Sequence, residues 1–273
     1  MKMRIKSLVP LLLLVLAGAA QGRDNEKRIF NGGPCAHDEF TFHVVLVGNG
    51  RVVCGGSPIT QDWVLTAAHC NSSGLTAYLN YHPSHQPSVF AIAQTHIYID
   101  GAQQRHDIML LHLNRGTDRT VFPVAQLPPR HPDCRRPAVG AEIRWAAIVE
   151  STIVTQRPHQ DARHGPAGGF EDINEVHNLL CGRVDVTACA GHPHYNPHAF
   201  PIPQPYFYDD AHVVCGQRGG VDGCRGNSGG GMLHNNILHG VLVYGNAGMV
   251  CGGPIGFMDI CPYREWIHTR SGI

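Results

Sequence analysis

The chain of 273 residues has no net charge, because 21 Lys and Arg side chains cancel 21 Asp and Glu. It lacks the basic excess that draws a protein onto nucleic acid or an anionic membrane, so neither is an expected partner. Charged residues are also scarce, 15% of the chain against 43% apolar, a balance that excludes a disordered polyelectrolyte and can fill a core. Long apolar runs are missing as well. Leu8 to Leu16 is aliphatic apart from Pro10, yet it falls short of the roughly 20 residues a membrane-spanning helix needs, and no later stretch is longer. Sustained amphipathic helical periodicity is absent, which points to strands.

The short apolar stretch has another use. Met1 to Lys6 carries three positive charges, and Ala17, Ala19, Ala20 and Gly22 offer small residues for signal-peptidase cleavage, so residues 1–22 read as a secretory leader. The mature protein is then expected outside the cell, where ten cysteines, an even set, read as a disulfide framework. Residues 23–28, a polar hexapeptide ending in Lys27-Arg28, read as a propeptide. Cleavage between Arg28 and Ile29 would free a terminus followed by Gly32-Gly33, where paired glycines let it bend sharply inward.

From Phe40 onward the chain consists of short runs rich in Val, Ile, Leu and Thr, most of them closed by Gly or Pro. Many short antiparallel strands predict an all-β sandwich or barrel fold. A single helix is expected near the end, over residues 262–270, with Pro262 suited to its first turn. Four prolines between Leu127 and Pro137 mark a linker, residues 128–140, that divides residues 29–127 from 141–261. Two Pro- and His-rich stretches, about Gln156 to Asn174 and Ala190 to Asp209, read as long surface loops.

Three segments carry chemistry: Thr66-Ala67-Ala68-His69-Cys70, His106-Asp107-Ile108-Met109-Leu110-Leu111, and Gly226-Asn227-Ser228-Gly229-Gly230. A serine hydroxyl is a poor nucleophile until a histidine takes its proton, and that histidine needs a carboxylate to fix its tautomer. Glycines beside the serine let backbone N–H groups converge on an oxyanion. With these three motifs in the order His, Asp, Ser behind a cleavable terminus, residues 29–273 resemble a secreted serine protease of the trypsin and chymotrypsin family.

The resemblance implies two six-stranded antiparallel Greek-key barrels, with His69 and Asp107 from the first facing Ser228 from the second, and the N–H groups of Gly226 and Ser228 as oxyanion hole. It implies the pairs Cys35–Cys181, Cys54–Cys70, Cys134–Cys261, Cys189–Cys215 and Cys224–Cys251. A further bridge common in trypsins is missing, with both positions non-cysteine near Ile143 and His234. Asp222 resembles the carboxylate at the floor of the trypsin pocket, which selects Arg or Lys before the scissile bond, and Gly245 resembles an open wall. Ile255 falls where trypsins have a glycine, although a shift of one residue puts Gly256 there instead.

Two departures stand out. Val243 replaces the serine that hydrogen-bonds the aspartate in the family, and Asn227 replaces the aspartate that receives the new N-terminus. The function expected is hydrolysis of peptide bonds through an acyl-enzyme on Ser228. The alternative is a catalytically weak, protease-like scaffold that binds a partner. No cofactor or metal is expected; His192, His194 and His198 are read as a solvated polar loop. Asn71-Ser72-Ser73 is an acceptor sequon for N-glycosylation. The expected state is a monomer whose partners are protein substrates and protein inhibitors.

Overall fold

The computed structural model describes residues 29–30, 32–84, 86–150, 171–172, 176–189, 206–219, 222–223, 228–244 and 255–273, with the backbone alone at 29–30, 51, 149–150, 171–172, 176–178 and 222–223. Sixteen strands are described. They begin with β1 (Ile29–Phe30), β2 (Gly33–Pro34), β3 (Val44–Gly48), β4 (Arg51–Pro58), β5 (Trp63–Thr66), β6 (Thr76–Leu79), β7 (Ser88–Ile99) and β8 (Arg105–Asn114). The rest are β9 (Glu142–Glu150), β10 (Glu171–Asp172), β11 (Val176–Thr187), β12 (Val213–Gln217), β13 (Asp222–Gly223), β14 (Gly231–His234), β15 (Ile237–Tyr244) and β16 (Ile255–Asp259).

Their pairing gives the two six-stranded antiparallel barrels that the resemblance implies. In the first sheet the order β4-β3-β6-β7-β8-β5 closes on itself through β4–β5, with β10 added at the edge. In the second, β12-β16-β15-β14-β9-β11 closes through β12–β11, with β2 added. Closure removes the free edges that would otherwise invite aggregation.

Burial follows from the residue types. Val44, Val45 and Leu46 in β3 and Ile108 to Leu111 in β8 are buried, each contributing roughly 1.5–3 kcal/mol from its removal from water. Such runs, apolar on both sides, occur where a strand packs on the barrel interior with one face and on other elements with the opposite one. Trp145, Phe257 and Ile143 fill the second barrel. Residues 115–141 link the barrels and contain no strand.

At the C-terminus the 3₁₀ turn Cys261–Tyr263 takes up Pro262, so the helix α1 (Arg264–Ser271) starts two residues later than the sequence suggests. Its approach is fixed by Tyr263, whose buried hydroxyl meets His106 Nδ1 of β8 at 2.7 Å.

Four of the five implied cysteine pairs are formed: Cys35–Cys181, Cys54–Cys70, Cys134–Cys261 and Cys189–Cys215. Cys224 and Cys251 lie outside the described residues, as do the leader, the propeptide with Arg28, and most of the two Pro- and His-rich stretches with His192, His194 and His198.

Candidate active site

Asp107 lies on β8, in the first barrel, and is completely buried. A carboxylate taken out of water must be compensated by donors. Here three converge on it. The His69 main-chain N–H donates to Oδ1 at 2.8 Å, the His69 ring meets Oδ2 through Nδ1 at 2.7 Å, and the Tyr208 hydroxyl donates to the same Oδ2 at 2.6 Å. With Nδ1–H committed to the carboxylate, neutral His69 presents Nε2 as a free base.

His69 sits in a 3₁₀ turn, Ala68–Cys70, that follows β5 directly and is stapled to β4 by Cys54–Cys70. Ala68 and Cys70 are buried while the His69 side chain keeps 34% exposure, so the turn aims the ring outward from a fixed base. Burial of the ring opposes its charged form. The Asp107 charge and hydrogen bond outweigh that cost and hold the His69 pKa above its ordinary 6.5.

Ser228 belongs to the second barrel, in the turn that leads into β14, and is half-buried. That turn is locked to both barrels. The Ser228 carbonyl accepts the Gly55 N–H of β4 at 2.8 Å, the Gly229 N–H donates to the Leu242 carbonyl at 2.7 Å, and the Leu242 N–H donates to Gly230 at 2.8 Å. Gly229 has φ +81°, and a Cβ there would collide with Thr66 Oγ1 and the Gly55 carbonyl oxygen. Glycine is required on both grounds. Thr66 in turn donates to the Gly55 carbonyl at 2.8 Å, close to the turn that bears His69.

Of the remaining residues singled out in the sequence, Gly226, Asn227 and Gly245 lie outside the described residues. Asp222 is described by its backbone, in β13, which pairs antiparallel with β1: Phe30 stands opposite Asp222 and Ile29 opposite Gly223. Asn71 is exposed just after the His69 turn.

β16 pairs Ile255 with Gly216 and Gly256 with Cys215, and strand alternation sends Ile255 and Phe257 to one face. Ile255 is buried inside the second barrel with Trp145 and Val214. Gly256 is buried against the Tyr244 ring, where a Cβ would overlap the ring.

Val243 is also buried and stands where the pairing of β15 with β16 slips between Leu242 and Tyr244. It brings no hydroxyl toward Asp107. That loss is visible in the sequence, whereas Tyr208 is not, because it falls in a stretch that reads as a surface loop. The available signal was the aromatic triplet Tyr206-Phe207-Tyr208, out of place in an otherwise polar, Pro-rich stretch. The structure ties this triplet to β8 through the Phe207 N–H, which donates to the Arg105 carbonyl at 2.7 Å.

The comparisons agree with the geometry. The Trypsin family profile matches residues 29–156 and 175–267. The thrombin-like enzyme cerastocytin of Cerastes cerastes is 25% identical over 281 aligned residues, covering 97% of this chain and 94% of that protein. The alpha- and beta-fibrinogenase stejnefibrase-1 of Trimeresurus stejnegeri is 28% identical with the same coverage. Among solved structures, neuropsin, a serine protease expressed in the limbic system of mouse brain, superposes with a TM-score of 0.61 at 24% identity, over 88% of this chain and 98% of that one.

The fold and the site together define a serine endopeptidase of the two-barrel type. The chain belongs to the trypsin family, its substrates are proteins or peptides, and the non-catalytic scaffold reading is not favoured.

Proposed function

We propose that the protein is a secreted serine endopeptidase that cleaves after Arg or Lys through an acyl-enzyme on Ser228. The observation that carries this reading is the buried Asp107 carboxylate gripping His69 by both its main-chain N–H and its Nδ1. That grip fixes the tautomer in which Nε2 is free to accept a proton.

In the first step Ser228 Oγ attacks the scissile carbonyl while its proton passes to His69 Nε2. The imidazolium so formed is stabilised by Asp107, which itself stays ionised. As the tetrahedral intermediate collapses, His69 returns the proton to the leaving amine and the acyl group remains on Ser228. Water then attacks the ester, giving its proton to His69, and His69 passes the proton to Ser228 Oγ as the acid product departs. The N–H groups of Gly226 and Ser228 are assigned to the developing oxyanion in both halves. Asp222 is assigned to the pocket floor, where its carboxylate would meet a cationic side chain, and Gly245 to its open wall.

Secretion is supported by the basic-then-apolar leader, residues 1–22, and by the disulfides, which persist in oxidising compartments. Cleavage at Arg28 and glycosylation of Asn71 belong to the same secretory route. So do a monomeric state and encounters with protein inhibitors.

The test is a fluorophosphonate probe followed by a peptide library. Labelling of the natural protein and none of Ser228→Ala, with cleavage concentrated after Arg and Lys, is the expected result. Labelling that survives Ser228→Ala would overturn the nucleophile assignment, and cleavage centred on aromatic residues would remove Asp222 from the pocket floor.

A further inference from the structure

The Asp107 carboxylate accepts a hydroxyl from Tyr208, away from the position where the family resemblance places a serine. Where the trypsin family has a serine, this chain has the buried, apolar Val243. The hydroxyl arrives instead from Tyr208, 101 residues along the chain from Asp107, at 2.6 Å from the oxygen that also faces His69 Nδ1.

We propose that Tyr208 is a positioning residue of the hydrolytic site: its hydroxyl holds Asp107 Oδ2 toward His69 Nδ1, in place of the missing hydroxyl at Val243. The inference rests on the triad reading given above and deepens it.

Three observations give Tyr208 the rigidity the role needs. Its ring meets the Tyr244 ring edge to face, with centroids 5.9 Å apart and an interplanar angle of 86°. Tyr244 is itself anchored: its hydroxyl lies 3.4 Å from Cys215 Sγ, and a disulfide sulfur carries no proton, so Tyr244 donates. The neighbouring Phe207 main chain is bonded to Arg105 of β8, two residues before Asp107. The segment that carries the donor is therefore tied to the strand that carries the acceptor.

The protonation state suits the role. Burial, together with the Asp107 charge, pushes the Tyr208 phenol far above its ordinary 10, so it remains a donor throughout the working range of a protease. Its hydrogen bond to Asp107 is charge-assisted, and such bonds are short and strong. By withdrawing charge from Oδ2, the bond also moderates the pull of Asp107 on the His69 proton. Loss of the hydroxyl should leave Asp107 less restrained and His69 more basic.

The experiment uses the full-length processed protein with four sequences: natural, Tyr208→Phe, Asp107→Asn, and the double variant Tyr208→Phe with Val243→Ser. Each is assayed on one Arg peptide amide from pH 5 to 9, with thermal unfolding to confirm folding. Tyr208→Phe should lower kcat by about 10-fold, the loss expected for one hydrogen bond to a charged group, with KM nearly unchanged. Its acid limb in kcat/KM should move to higher pH, which a structural defect alone would not do. Val243→Ser in that background should recover part of kcat, since it offers the carboxylate a hydroxyl from the family position.

If Asp107→Asn is crippled while Tyr208→Phe keeps the natural kcat and acid limb, the role of Tyr208 is overturned and the triad stands. If Tyr208→Phe raises KM and leaves kcat intact, Tyr208 contacts substrate and positions nothing. If Asp107→Asn retains full kcat, the triad reading falls and takes this proposal with it.

Discussion

Asp107 holds His69 twice, through the main-chain N–H on Oδ1 at 2.8 Å and through the ring on Oδ2 at 2.7 Å. The two bonds restrain both the position of the turn and the rotation of the imidazole. They differ in what an amide could replace. An Asn at position 107 can still accept the main-chain N–H on its oxygen, but its NH₂ would then face Nδ1 and force the proton onto Nε2.

Asp107→Asn is therefore expected to keep the fold and lose the reaction. The wrong tautomer leaves Nε2 unable to accept the Ser228 proton, and kcat near neutral pH should fall by roughly 10³–10⁴-fold with little change in KM. Steady-state kinetics beside a thermal scan checks this. A variant within tenfold of the natural kcat would mean that His69 is oriented by something other than Asp107.

The pH profile follows from the raised pKa of His69. Protonated His69 cannot act as a base, so activity falls as pH drops through its pKa. Because the Asp107 charge holds that pKa above 6.5, half-activity on the acid side should lie above pH 6.5. Measuring kcat/KM from pH 5 to 9 locates the limb, and a midpoint below 6.5 contradicts the geometry.

Gly229 offers a test of how tightly the Ser228 turn is clamped. At φ +81° a Cβ costs about 1–3 kcal/mol in backbone strain alone, and here it also collides with Thr66 and Gly55 of the first barrel. Gly229→Ala should lower Tm by several degrees and, by displacing Ser228 from His69, cut kcat by more than the stability loss explains. A folded Gly229→Ala protein with natural kinetics would show that the turn yields without disturbing the site.

Stability should depend on pH through buried histidines. His43 is buried and pushed down to about 3, first by desolvation and then by repulsion from His82; His239 is pushed down to about 4 by desolvation and by His234. Both are neutral when folded, whereas in the unfolded chain they take a proton near 6.5. Protons thus favour the unfolded state, so this stability is present above pH 6.5 and is lost as pH falls toward 3. His43→Gln should flatten the decline of Tm between pH 6.5 and 4. Parallel curves for the two proteins would rule out His43 as a source of acid sensitivity.

What could be read in the sequence divides along physical lines. Apolar runs such as Val44 to Val47 and Ile108 to Leu111 announce strands because their burial is set locally, and they are β3 and β8. His69, Asp107 and Ser228 stood out because each carries its own short motif. Ile255 is ambiguous for a definite reason: between Pro254 and Gly256 no alternation fixes which face it takes, and a slip of one residue exchanges it with Gly256. Tyr208 was hidden because its role depends on a tertiary contact across 101 residues, made from a stretch whose prolines suggest only a loop. The loss of the serine hydroxyl at Val243 was visible; the source of its replacement was not.

β1 pairs with β13, Ile29 opposite Gly223 and Phe30 opposite Asp222. Cleavage after Arg28 would create an ammonium at Ile29, and inserting that terminus means finding a partner for a buried charge. The family supplies an aspartate there, but position 227 is Asn. An amide can accept a hydrogen bond from the ammonium yet offers no charge to offset its desolvation, and an uncompensated buried charge costs about 3–5 kcal/mol. The processed terminus therefore gains little by inserting, and activity should depend on cleavage less than in a trypsin. Asn227→Asp should restore that dependence. Four proteins decide the matter, the natural sequence and Asn227→Asp, each with Arg28 cleavable or replaced, assayed on one Arg substrate. The expected outcome is a small ratio of processed to unprocessed activity for Asn227 and a large one for the aspartate variant. A natural protein that is silent until cleaved and then fully active would mean that another acidic group receives Ile29.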